Sequence, residues 1–118
     1  MFINLTPHTI VLHGRNGRVE VPASGNVARV SQSRSVLDED AGPEYGHVDL
    51  VRYRPDQVTG LPTPEPGTIY IVSGQVLVAC AGRSDVFAPD TDKGAFRDPG
   101  GRIQGTTALV AAPLKGGE

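Results

Sequence analysis

The sequence predicts a mainly β fold, at most α+β: a bent antiparallel sheet or small β-barrel with one short helix near residues 74–81. Three observations predict it. Fifteen Gly and ten Pro in 118 residues mean frequent turns. Several segments alternate apolar and polar residues, the period of a strand with one face buried. Aromatics make up 5% with no Trp, so the core must come from Val, Ile, Leu and Ala. Short strands and tight connections fit this composition better than a helical bundle. One β-rich domain over 1–118 is expected, large enough to bury roughly two-thirds of its unfolded surface.

Phe2 to Leu5 is a short strand broken by Thr6-Pro7-His8, because Pro7 fixes φ and removes a donor. Thr9–His13 and Arg18–Pro22 form a hairpin around Asn16-Gly17, a strong turn signal. Asn26–Leu37 and His47–Arg54 alternate and read as a long hairpin, with a bulge expected near Ser31–Ser35. Asp38–Glu44 is its solvated acidic tip. Leu61–Gly67 has Pro at every second position; it is read as an extended connector that cannot lie in a central strand.

Ile69-Tyr70-Ile71-Val72 is β-branched and aromatic and reads as a buried strand. Two readings compete after it. Ser73-Gly74 is a tight turn into a return strand, as Val76 and Val78 favour, or Ser73 caps a helix over Gly74–Ala81 closed by Gly82. Val86–Ala88 is a short strand, followed by turns at Pro89–Asp92 and Arg97–Arg102. Gly105–Ala112 is a last strand, and Lys115–Glu118 a frayed tail. Ile69, Ile71, Val76, Leu77, Val30 and Leu109 are the expected core.

Net charge is −2, with 11 basic and 13 acidic residues and no long run of either sign. A sequence-independent nucleic-acid binder needs a basic face, so no nucleic acid is expected. Cys80 is the only cysteine, which excludes an intramolecular disulfide; among apolar neighbours it reads as a small buried hydrophobe. Neither a secretory leader nor an apolar run of ~18 residues is read, so a soluble cytoplasmic protein without membrane contact is expected.

No nucleotide fingerprint or zinc spacing occurs, and neither catalytic residues, metal nor cofactor is assigned. Arg83, Arg97 and Arg102 carry the best chemistry, since the planar guanidinium suits phosphate or carboxylate. They sit in turns with Asp85, Asp90 and Thr91. If these turns gather at one end of a sheet, they form an anion site, with His8 and Ser73 as further contacts. The same groups can also serve as turn formers and salt bridges.

Asn4-Leu5-Thr6-Pro7-His8, Tyr70-Ile71-Val72-Ser73, Arg83-x-Asp85, Pro89-Asp90-Thr91 and Arg97-Asp98-x-x-Gly101-Arg102-Ile103 occur in that order. In this the chain resembles a family of small, largely uncharacterised proteins of phages and actinobacteria. The resemblance implies a helix after Tyr-Ile-Val-Ser. It makes plausible an accessory role: non-catalytic binding of a small anionic ligand, such as a nucleotide defence signal. A virion or assembly component and a small nucleotide hydrolase are the alternatives. The long hairpin offers two partly apolar faces, and a homo-oligomer is expected from it.

Overall fold

A computed structural model describes residues 1–116. The chain is mainly β with one short helix. Its strands are β1 (Phe2–Asn4), β2 (Ile10–Gly14), β3 (Gly17–Val21), β4 (Arg29–Asp38), β5 (Leu50–Thr59) and β6 (Ile69–Ile71), then β7 (Val86–Pro89), β8 (Ala95–Arg97), β9 (Ile103–Thr106) and β10 (Leu109–Ala111). They form a core sheet of order β1-β6-β7-β10, a second sheet of order β3-β2-β9-β8, and a separate two-stranded ribbon of β4 and β5. These bent sheets stay open, so the chain takes the sheet alternative and does not close into a barrel.

The helix α1 (Gly74–Val78) decides between the two readings of this segment. β6 and β7 run parallel, Tyr70 beside Val86 and Ile71 beside Phe87. A hairpin at Ser73-Gly74 would make antiparallel neighbours; parallel ones need a crossover, and α1 lies in it. Ser73 Oγ accepts the N–H of Val76 as the N-cap. The helix ends sooner than expected, at Val78, because the Ala79 N–H already bonds back to Val76 and the chain turns away. Gly82, at φ 87°, then donates its N–H to Pro113 O instead of closing the helix directly.

The hairpin of β2 and β3 turns on Arg15 and Asn16, one residue earlier than expected, with Gly14 opposite Gly17. The long hairpin forms with its strands shifted toward the C-terminus relative to expectation. Its register slips between Val30 and Gln32 and between Val36 and Asp38. Both of its strands are edges, so Pro55 is tolerated opposite Gln32. Leu61–Gly67 is an irregular connector.

The single strand expected over Gly105–Ala112 is two strands in two sheets. β9 runs parallel to β2 through Leu12 and Thr106; β10 pairs antiparallel with β7. Thr106 makes the switch possible. Its buried hydroxyl lies 2.8 Å from both Asp90 O and Ala108 O, holding the bend that redirects the chain. Beside it, Gly105 lets β9 approach β2: a Cβ there would sit 2.6 Å from Val11 O. The rings of His13 and Phe96 stack at 3.9 Å next to this glycine.

The core lies between the core sheet, α1 and the N-terminal loop. Leu5, Ala28, Tyr70, Val72, Val76, Leu77, Cys80, Val86 and Ala88 form one buried cluster. Of the expected core, Ile71, Val76 and Leu77 are buried. Ile69, Val30 and Leu109 are half-buried: they stand where β6 begins, where the ribbon leaves the core, and on the edge strand β10. The expected tail over Lys115–Glu118 lies partly outside the described residues.

The Asn-Leu-Thr-Pro-His stretch has a structural reason. The buried Asn4 amide donates to His8 O at 2.7 Å and Val21 O at 3.0 Å. Its Oδ1 accepts the Thr6 N–H at 2.9 Å and the Thr6 hydroxyl at 2.7 Å. One side chain thus ties β1, the Thr6–His8 turn and β3 together.

Candidate functional site

β7 separates the residues the sequence groups. Arg83 and Asp85 precede it and Asp90 and Thr91 follow it, so these two pairs stand at opposite ends of one strand. Four residues of strand place them about 13 Å apart.

Arg83 is paired. Its Nε donates to Asp85 Oδ1 at 2.8 Å, and its Nη2 donates to Asp85 Oδ2 at 2.9 Å and to Pro62 O at 3.0 Å. This bidentate pair pins the proline connector to the start of β7 and cancels the charge of the arginine. The guanidinium bond holds the Asp85 carboxyl below the ordinary carboxylate range, against the opposing effect of burial. The same bond raises Arg83. Because the folded pKa of Asp85 is depressed, the pair stabilises the fold fully above about pH 4, the ordinary aspartate value, and is lost as pH falls through the depressed one. Asp85→Asn is therefore expected to flatten the acid limb of a melting-temperature profile. A profile identical to wild type below pH 4 would contradict the pairing.

Cys80 lies behind this pair. Burial is the main influence on its thiol and raises its pKa, outweighing the nearby Arg83. The thiol is protonated at neutral pH and is a core group, as expected.

Asp90 accepts the N–H groups of Asp92 and Gly94, and Asp98 those of Arg102 and the Gln104 amide. Both serve as turn formers. Arg97 donates to Gly101 O across its own turn, and Arg102 is exposed. Ser73 caps α1. His8 and Thr91 do come together: with Ile10, Val11, Ile103 and Gln104 they line a cleft of about 400 Å³ between the two sheets. No Lys or Arg lines that cleft. The expected residues therefore divide among the Arg83 pair, the Arg97–Arg102 turn, the α1 cap and this cleft. Among the described residues, no group of three or more His, Cys, Asp or Glu side chains is placed to hold a metal ion.

Two cations that stand together, Arg52 and Arg54, are elsewhere, on the ribbon. Register puts Ser33 opposite Arg54 and Ser35 opposite Arg52. Alternation along β4 brings Arg29 and Ser31 to the same face. The three arginines are exposed, and among the described residues none forms an ion pair. Arg52 and Arg54 stand about 7 Å apart along the strand, with serine hydroxyls opposite both. This polar face is absent from the sequence-derived site. Its signal is the i, i+2 spacing of Ser31, Ser33 and Ser35 on one strand and of Arg52 and Arg54 on the next, visible only once the two strands are placed in register.

Compared with family models, with curated proteins and with solved structures, the chain matches none.

Proposed function

We propose that this protein is a non-catalytic, homo-oligomeric accessory protein of phage or bacterial origin that binds a small phosphate-bearing anion, of the nucleotide class, in the cytoplasm. The observation that carries this reading is the polar ribbon face of Arg52 and Arg54, faced by serines and free of carboxylate partners among the described residues. Guanidinium forks recognise phosphate bidentately, and the adjacent hydroxyls supply further donors. The anion reading thus moves from Arg83, which Asp85 already neutralises, to arginines with open donors.

A second reading, a virion or assembly component, draws on a different observation. Six large apolar side chains of the ribbon and its tip, Val36, Leu37, Tyr45, Val48, Leu50 and Tyr53, are exposed.

Titration with adenosine triphosphate and with inorganic triphosphate tests the first reading. Arg52→Ala/Arg54→Ala is expected to weaken binding at least tenfold, about 1.4 kcal/mol. Stability should change by less than about 0.5 kcal/mol, since both side chains are exposed. Equal affinity in wild type and double variant would overturn it.

A further inference from the structure

The ribbon's other face does not stop where the core stops. Val30 and Val58, opposite each other at its base, pack against the core cluster. The same face continues outward through Gln32 and Pro55, Arg34 and Tyr53, and Val36 and Val51. Tyr53 is 57% and Val36 46% exposed, so a core face runs on into solvent. Beyond them the tip adds Leu37, Tyr45, Val48 and Leu50, all exposed.

Two further observations bear on what covers this face. The chain exposes 8217 Å², whereas a compact monomer of its 12.4 kDa mass exposes about 6,100 Å². The excess exceeds the ~800 Å² that each partner of a stable interface buries. The radius of gyration, 17.8 Å, is likewise above the roughly 13.5 Å of a compact chain this long. The ribbon is also polar in charge. Its shaft carries Arg29, Arg34, Arg52 and Arg54 against one carboxylate, Asp56; its tip carries Asp38, Glu39, Asp40, Glu44 and Asp49 and no Lys or Arg.

We infer that two copies of this chain pair through their ribbons, antiparallel about a two-fold axis, each laying the Val36–Tyr53 face on that of the other. The occupant is a second copy because the charge pattern complements itself in that arrangement. The acidic tip of one ribbon reaches the basic shaft of its partner. Arg34, opposite Tyr53 on the buried face, is the shaft cation placed to meet that tip directly. The contact is isologous and closes at two copies. It buries the apolar face and leaves the Arg52–Arg54 face open. The inference rests on the homo-oligomeric reading above and adds the surface and the orientation.

Sedimentation velocity at 100 µM tests it, with Val36→Asp/Tyr53→Asp as the variant that breaks the apolar contact. Wild type is expected at twice the 12.4 kDa chain mass and the variant at the chain mass, with the far-ultraviolet circular dichroism and melting of a folded chain. Glu39→Lys/Asp49→Lys leaves the apolar face intact and is expected to weaken self-association at least tenfold at low salt. A dimer that persists unchanged in both variants overturns the ribbon contact and leaves the homo-oligomer standing. A wild-type monomer at this concentration overturns both.

Discussion

Asn4→Ala is expected to lower the unfolding free energy by about 3–5 kcal/mol, although it removes only an amide. All four hydrogen-bonding positions of that amide are used: two N–H donors on His8 O and Val21 O, two acceptor sites on the Thr6 N–H and hydroxyl. Alanine leaves Val21 O and the Thr6 N–H without this partner, while the Thr6 hydroxyl and His8 O keep the 3.0 Å bond between them. An unmet buried polar group costs about 1–3 kcal/mol, and two are created at once. That is a large share of the ~5–15 kcal/mol typical of a domain. Urea unfolding with an unchanged m-value measures it. A loss under 1 kcal/mol would mean that Asn4 does not hold the N-terminal turn.

Leu77→Ala is expected to cost about 2–5 kcal/mol. Leu77 is 6% exposed and belongs to the same cluster as Val76, Val86 and Tyr70. The helix it sits on has five residues and gains little from propensity at that length. Its stability comes from seating Val76 and Leu77 on the core sheet, so the cavity left by alanine also loosens α1. A cost well below 1 kcal/mol would place Leu77 outside the core.

How far these features were legible depends on the distance over which each is specified. The Ser73 cap, the Asp90 and Asp98 turns, the acidic tip and the proline connector are local, and residue type alone points to them. The burial of Val76 and Leu77 follows from apolar character. The helix was legible from its Ser73 start and Gly82 stop, although Val76 and Val78 favour a strand; the parallel pairing of β6 with β7 decides between them. Parallel pairings in general left no local sign. The break between β9 and β10 was hidden because Thr106-Thr107-Ala108 is good strand sequence, and only the bonds from Thr106 to Asp90 and Ala108 bend it. The candidate site failed to converge for a similar reason. Its residues are near in sequence, but β7 stands between them and Asp85 already neutralises Arg83. The ribbon arginines leave no signal in sequence because neither strand alone shows which residues share a face.

The measurement that tests the account most directly is recovery of bound nucleotide. The protein is incubated with a nucleotide panel, freed of unbound ligand, denatured, and the released ligand identified by mass spectrometry. An unaltered nucleotide is expected from wild type and little or none from Arg52→Ala/Arg54→Ala. Release of a hydrolysed product, or equal retention by the double variant, would contradict it.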